Sequence, residues 1–322
     1  MNDPILFATE PYLRLRDAVA RVRGLGRGQI EWQRFPDGER GMRIVTPVRG
    51  RDVVLLAGAT DEAESTAIFD LGCALVAQGA ERFTLLMPYF AYATMDRASR
   101  EGDVVTARTR AQLFAAIPRA ACGNRITILD PHGDGLPHAF GPGWCVEALP
   151  IEGWLVPFVR RLAEGHDVVL ASVDVGRAKW VERMASRLGV SAAFAHKRRL
   201  GPDRTEVVAL LADVKDRHVI LMDDMIRSGS SMLGAAAAYR AAGARRVSAY
   251  ATHGVLPGDA LARLEASGLL THLTTTDSHP SALRQAGAFL EVLTIAPWLA
   301  AHLGDAHSTT SPERTVAIGT VP

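Results

Sequence analysis

The 322-residue chain is 48% hydrophobic and 22% charged, enough apolar material for one large or two medium cores. Its formal net charge is +1, which excludes a bulk electrostatic pull toward nucleic acid or a membrane surface, so any anion site has to be local. Cys73, Cys122 and Cys145 are an odd three whose spacing fits neither a disulfide framework nor a zinc site, which predicts reduced thiols and a cytoplasmic location. Residues 1–11 carry no basic, long-apolar leader pattern, and no stretch approaches a charge-free membrane span, so neither a leader nor a membrane partner is expected.

In chain order, short apolar runs predict strands at 52–57, 82–87, 125–129, 167–172, 218–222, 246–251 and 290–295. Ala- and Leu-rich segments between them predict helices at 60–78, 107–116, 178–188 and 231–242. Alternation of apolar strands with helices predicts an α/β fold with mostly parallel sheets covered by helices. Asp-Val-Val-Leu opens a strand at Asp52 and again at Asp167. Each leads through a helix to a strand that ends in an acidic turn, Leu129-Asp130 first and Met222-Asp223-Asp224 second. The repeat predicts two similar domains, 1–148 and 149–303, joined near 147–153. The Ser-, Thr-, Gly- and Pro-containing stretch 304–322 is expected to be a disordered tail.

The most informative segment is Asp223-Asp224-Met225-Ile226-Arg227-Ser228-Gly229-Ser230-Ser231. A buried strand run, Ile220-Leu221-Met222, precedes it, and a helix follows from Met232. Strand, acidic pair, small-residue turn and helix start make a phosphate cradle. Unpaired N–H groups of the first helical turn face the anion, the serine hydroxyls add donors, and Gly229 lets the backbone come close. Two carboxylates cannot hold a phosphate; they suit sugar hydroxyls or a magnesium ion. A capped turn kept for stability alone uses the same residue types, and the order of elements is what favours the ligand site.

The loop resembles the 5-phosphoribosyl-binding signature of ribose-phosphate diphosphokinases, and the resemblance runs from about Phe35 to Leu299. Phe35-Pro36-Asp37-Gly38-Glu39 is similar to the family's ATP-side segment. Pro88-Tyr89-Phe90, Tyr92-Ala93, Asp96-Arg97 and Thr106-Ala107 are similar to its next motif, and Leu129-Asp130-Pro131-His132 to its metal- and ATP-binding turn. Ser172-Val173-Asp174-Val175-Gly176 is similar to its second-domain acidic loop, and Lys197-Arg198-Arg199 to its flexible catalytic loop. Ala251-Thr252-His253-Gly254-Val255 and Ala296-Pro297 complete the series.

The resemblance implies two tandem phosphoribosyltransferase-like domains, with a site between them completed by a neighbouring subunit of a homo-oligomer. It implies a magnesium-dependent transfer of the β,γ-diphosphate of ATP to the C1 hydroxyl of ribose 5-phosphate. In that reading Lys197, Arg199 and Asp174 are catalytic, and Phe35, Asp37, Glu39, Asp96, Arg97 and His132 bind ATP. Asp223 and Asp224 hold the ribose hydroxyls, with Arg227, Ser228, Gly229, Ser230 and Ser231 on the 5-phosphoribosyl group. Mg2+ is held by His132 and Asp174. Residues 200–204 are expected to be a flexible, polar part of a lid. His138, His166 and His272 match no motif and are expected to be structural.

The chain departs from the family pattern at Thr94-Met95, where an Arg-Gln pair is usual, at Arg227 in place of a third acid, at Arg177 in place of a glycine, and at Ser230-Ser231 in place of Gly-Thr. The added arginines leave open an acceptor more anionic than ribose 5-phosphate, such as a nucleoside-diphosphate ribose. They also leave open a non-catalytic regulatory subunit. A phosphoribosyltransferase that consumes the diphosphate is a further alternative, though it leaves the second domain and the Lys-Arg-Arg segment unexplained.

Overall fold

The computed structural model describes residues 3–163, 167–199, 205–211, 213–305 and 319–320. The chain divides into two units, the first from residue 3 to 150 with residues 296–305, the second from 151 to 295 with residues 319–320.

In the first unit, β1 (Ile5–Ala8), β2 (Gly26–Arg27), β5 (Asp52–Leu56), β6 (Arg82–Met87), β7 (Asn124–Leu129) and β8 (Trp144–Leu149) form a parallel sheet in the order β2-β1-β5-β6-β7-β8. β3 (Ile30–Arg34) and β4 (Arg40–Ile44) form a separate antiparallel hairpin. Helices α1 (Leu13–Arg23), α2 (Glu62–Ala77) and α3 (Thr106–Ala115) accompany the strands. Val53, Val54, Leu55 and Leu56 are all buried, as a parallel strand covered on both faces requires. The hairpin shows no apolar run because none of its residues is fully buried, so periodicity alone does not reveal it.

In the second unit, helices α4 (Glu152–Ala163), α5 (Ala178–Leu188), α6 (Ser230–Ala241), α7 (Ala260–Ala266) and α8 (Pro280–Gln285) accompany an eight-stranded sheet of the described residues. Its strands are β9 (Val168–Ser172), β10 (Ser191–Arg199), β11 (Thr205–Leu211), β12 (His218–Ile226), β13 (Arg246–Gly254), β14 (Leu273–Thr276), β15 (Leu290–Thr294) and β16 (Gly319–Thr320). The order is β11-β10-β9-β12-β13-β14-β15-β16, parallel except for β11 and β16 at the two edges. One face packs Val219, Leu221, Ala235 and Tyr239 into a core that also holds Val169, Val247 and Leu264.

Four expectations change. The strand expected at 218–222 continues to Ile226, because β13 runs alongside to Gly254 and keeps pairing it; Asp223 therefore lies within the ladder, opposite Ala251. Lys197 and Arg199, expected on a flexible loop, are in strand β10, paired with Val207 and Thr205 of β11. The lid residues 200–204 lie outside the described residues, as does His166. Residues 296–303, expected in the second domain, form α9 (Ala296–Asp305) of the first unit, where it packs against α1. Of the expected disordered tail, Gly304 and Asp305 end α9 and Gly319–Thr320 pair with β15; residues 306–318 and 321–322 lie outside the described residues.

His302 of α9 donates from Nε2 to Glu147 of β8 at 3.1 Å, and Arg125 lies 3.4 Å from the same carboxylate. The His302 hydrogen bond, aided by Arg125 and opposed by burial, lowers the Glu147 pKa below its ordinary 4.5. A depressed carboxylate contributes stability above its unfolded value and loses it as pH falls through the folded value. Wild-type Tm is therefore expected to fall as pH is lowered from about 5 through and below 4.5, and Glu147→Gln to flatten that part of the curve. Thermal melts across this range check it; parallel curves for the two proteins would exclude the contact as a source of acid sensitivity.

Candidate active site

At the carboxyl end of β12 the chain passes through Arg227, Ser228 and Gly229 into α6. Gly229 caps the helix with φ 77°, and its carbonyl accepts from Leu233 N at 2.9 Å. A Cβ there would stand 2.9 Å from Leu264 Cδ2 of α7, so both the dihedral and the space require glycine. Ser228 and Ser230 share an Oγ–Oγ hydrogen bond of 3.0 Å. Arg263 of α7 donates to Ser228 O at 3.3 Å and pairs with Asp259 at 2.7 Å. The first N–H groups of a helix lack intrahelical acceptors, and here they open beside two serine hydroxyls and a loop pinned from α7.

The acidic residues next to this loop have different surroundings. Asp223 is partly buried, and its Oδ1 accepts from Asp224 N at 3.0 Å. Burial first, then the negative charge of Asp224, push the Asp223 carboxyl well above the ordinary carboxylate range. Asp224 is 2% exposed and ion-paired with Arg177 at 3.1 Å. Arg177 ends the turn after β9, where its N–H donates to Asp174 Oδ1 at 3.3 Å. Asp224 is thus already engaged by a cation rather than open to a sugar, while the Asp174 side of this end of the sheet is exposed.

The sheet explains why these residues meet. β9 and β12 are parallel neighbours, with Ser172 opposite Met222, so the residues after β9 emerge beside those ending β12. Ligand sites of parallel α/β sheets lie at this end. The motif Ala251-Thr252-His253-Gly254 supports the loop from within: His253 is buried, hydrogen-bonded to Ser278 Oγ at 2.8 Å, and lies opposite Met225 in the ladder.

In the first unit, Phe35, Asp37 and Glu39 sit on the tip of the β3–β4 hairpin, all exposed. The turn is closed by Phe35 N to Glu39 O at 2.9 Å and Glu39 N to Asp37 Oδ1 at 3.1 Å. Arg40 ties the hairpin to Glu64 of α2 at 3.0 Å. The segment after β6 turns at Tyr92, a non-glycine residue with φ 62°, and Asp130 after β7 has φ 38°. Side chains pay roughly 1–2 kcal/mol for such backbone, and that strain gathers at the carboxyl ends of these two strands. Tyr92 donates from its hydroxyl to Glu62, which also receives Arg110 at 2.5 Å; the Tyr92 bond lowers the Glu62 pKa and raises that of Tyr92.

Asp96 and the turn after Asp130 come together, because Asp96 Oδ2 lies 2.9 Å from where a Cβ on Gly133 would stand. His132, adjacent to Gly133, and Arg97, adjacent to Asp96, are exposed at the same place. A cavity of about 530 Å³ opens here, lined by Asp96, Arg108, Gln112 and His138 among others. Phe90, by contrast, is core: it is 3% exposed and stacks edge-on with Phe114 and Phe140. His272, expected to be structural, pairs with Glu291 at 3.5 Å.

The structure thus gathers Asp174, Asp223, Asp224 and Ser228–Ser231 in one unit, and Asp96, Arg97 and His132 in the other. Sequence reasoning did not single out Arg263, Leu264, Glu62 or Arg110. Arg263, Leu264 and Glu62 reach their motifs from helices distant in sequence, and Arg110 joins through Glu62, 48 positions away; no local spacing announces such contacts. Arg177 stood out only as a departure from the pattern; its partner Asp224, 47 positions away, is a tertiary fact.

Among the described residues no three His, Cys, Asp or Glu side chains converge as a metal site, and no helix is long and apolar enough to cross a membrane. Cys73, Cys122 and Cys145 are free thiols.

Residues 5–117 match the model for the N-terminal domain of ribose phosphate pyrophosphokinase, and residues 151–265 that for the phosphoribosyl transferase domain. A ribose-phosphate pyrophosphokinase of Granulibacter bethesdensis is 35% identical over 295 residues, covering 89% of this chain and 91% of that protein. One from Fusobacterium nucleatum is 33% identical over 281 residues, covering 86% of each. The crystal structure of phosphoribosylpyrophosphate synthetase from Mycobacterium smegmatis superposes with a TM-score of 0.85 at 30% identity, covering 96% of this chain and all of that one. Two parallel-sheet units, a small-residue loop leading into a helix after a central strand of the second, and relatives aligned over most of their length agree: the chain belongs to the ribose-phosphate pyrophosphokinase family.

Proposed function

We propose that the protein transfers the β,γ-diphosphate of ATP to ribose 5-phosphate. The C1 hydroxyl attacks the β-phosphorus, the bond to the α-phosphate oxygen breaks, AMP leaves, and the hydroxyl proton is lost to solvent or base. The observation that carries this is the β12–α6 loop, whose left-handed Gly229 sets two serines at the helix start that follows the acidic pair of β12.

Ser228–Ser231 and Arg227 hold the 5-phosphate, and Asp223 faces the sugar hydroxyls. Phe35, Asp37, Glu39, Asp96, Arg97 and His132 serve the nucleotide. Lys197 and Arg199 stabilise charge on the transferred group, where preorganised cations act most strongly. Magnesium, when bound, neutralises the phosphate oxygens. Asp174 is exposed and offers the oxygen donor this ion prefers; His132, also proposed as a ligand, offers the less favoured nitrogen. Because magnesium takes most of its ligands from phosphate and water, one or two protein donors suffice.

Arg177 lies against Asp224 after β9, so of the two added arginines Arg227 is the one that stands on the β12–α6 loop itself. A homo-oligomer and a cytoplasmic, reducing location complete the proposal, and sedimentation of the purified protein tests the former.

The test is mass spectrometry of products from magnesium, ATP and a panel holding ribose 5-phosphate and nucleoside-diphosphate riboses. Phosphoribosyl diphosphate and AMP in equal amounts are expected, with ribose 5-phosphate the best acceptor. No AMP above a Lys197→Ala control would remove the reading.

A further inference from the structure

Among the described residues β3 and β4 pair only with each other, and no residue of either strand is fully buried. A two-stranded ribbon is marginally stable on its own. Behind it a cavity of about 460 Å³ opens against α2, lined by Met42, Ile44, Leu71 and Ala74 among others, so close packing does not fix the ribbon along this stretch.

Arg34 and Arg40 form the last cross-strand pair before the hairpin tip. Like charges placed opposite each other repel. Each is drawn instead to an acid on the body of the unit, Arg34 to Glu10 at 3.4 Å and Arg40 to Glu64 at 3.0 Å. The two ties differ in depth. Arg34 and Glu10 are exposed, and a pair of that kind contributes little. The Arg40 and Glu64 side chains are only 18% and 6% exposed, so removing either one leaves a buried charge unmatched.

Glu64 is itself anchored. Its N–H donates to Asp61, the N-cap of α2, at 2.8 Å. The start of α2 follows the carboxyl end of β5, the end of the sheet at which Tyr92 and Asp130 also turn. At the other end of this tie, Arg40 stands between Glu39 of the tip and Gly41. The Phe35 ring lies over Gly41, where a Cβ would stand 3.1 Å from Phe35 Cε2. Cap, Glu64, Arg40 and tip thus form one chain of contacts.

We propose that Glu64 is a positioning residue for nucleotide binding: through Arg40 it sets the hairpin tip, and it does not touch the ligand. The inference rests on the functional reading above, which assigns Phe35, Asp37 and Glu39 to the nucleotide.

The experiment is calorimetric titration of the full chain, with magnesium, against ATP and, separately, ribose 5-phosphate. The proteins are wild type, Arg40→Met, Glu64→Gln and the double variant, which leaves no unpaired charge if Glu64→Gln misfolds. A tip that loses its place is expected to bind ATP at least roughly 10-fold more weakly in each variant, with ribose 5-phosphate binding kept within about 2-fold. Because the two side chains act as one tie, the double variant is expected to lose no more than the larger single loss. A smaller ATP loss in the folded double variant overturns the proposal. So does an equal loss for ribose 5-phosphate, which marks general destabilisation, or single losses that multiply in the double variant, or a wild type that binds no ATP. Failure of the functional reading is separable: wild type would then bind ATP with this dependence on Glu64 yet release no AMP from ATP and ribose 5-phosphate.

Discussion

Lys197→Ala is expected to reduce the rate of AMP release from ATP and ribose 5-phosphate by about 10²–10³-fold, while Tm changes by no more than about 2 °C. Diphosphoryl transfer asks little covalent chemistry of a protein. Its barrier is dominated by charge on the transferred group and the leaving phosphate, so a cation placed there is worth far more in the transition state than in the bound substrate. The effect should therefore appear in kcat, with the KM for ribose 5-phosphate changing little. Arg199→Ala is expected to act similarly, and Arg198→Ala less, because the family resemblance assigns the role to the flanking pair. Lys197 and Arg199 stand near the end of β10, paired with the edge strand β11, which is why their loss should spare the fold. Steady-state kinetics and thermal melts on the three variants decide it. A Lys197→Ala protein with wild-type kcat would remove this strand from the catalytic machinery.

Gly229→Ala is the second large effect. An alanine at φ 77° costs about 1–2 kcal/mol, and its Cβ would meet Leu264 at 2.9 Å, adding roughly 1–3 kcal/mol of overpacking unless α7 yields. If α7 or the loop does yield, the serines shift away from the 5-phosphate, and a displacement of about 1 Å can cost on the order of 100-fold in function. The expected result is a lower Tm together with a KM for ribose 5-phosphate raised by roughly that factor. Leu264→Ala in the same background is expected to recover the steric part and leave the dihedral part. The double-mutant cycle thus separates the two causes. Unchanged KM in a destabilised Gly229→Ala protein would mean that the loop does not hold the phosphate.

Both predictions begin with residues that the sequence displays, but they depend on it differently. The run Ile220-Leu221-Met222, the acidic pair and Ser228–Ser231 form one contiguous segment, so local chemistry is enough to propose a phosphate loop. The same holds for the parallel sheets, whose strands are apolar because both of their faces are covered. The hairpin carrying Phe35, Asp37 and Glu39 escaped that logic, since a polar pair of strands leaves no periodic trace. The extension of β12 through Asp223 and Asp224 escaped it as well, because backbone pairing with β13 decides where the strand ends, and side-chain polarity does not record that partner.

Family and fold class, and the place of the strand, small-residue loop and helix around Asp223–Ser231, could be read from the chain, because each rests on neighbours in sequence or on motifs in order. Three things needed the tertiary structure. Asp224 is buried beneath Arg177, Gly229 is locked against Leu264, and α9 joins the first unit through α1 and Glu147 rather than closing the second. The reason is common to all three. Burial, pairing and close approach are set by groups tens of residues apart, and sequence spacing carries no distance between them until the strands have paired.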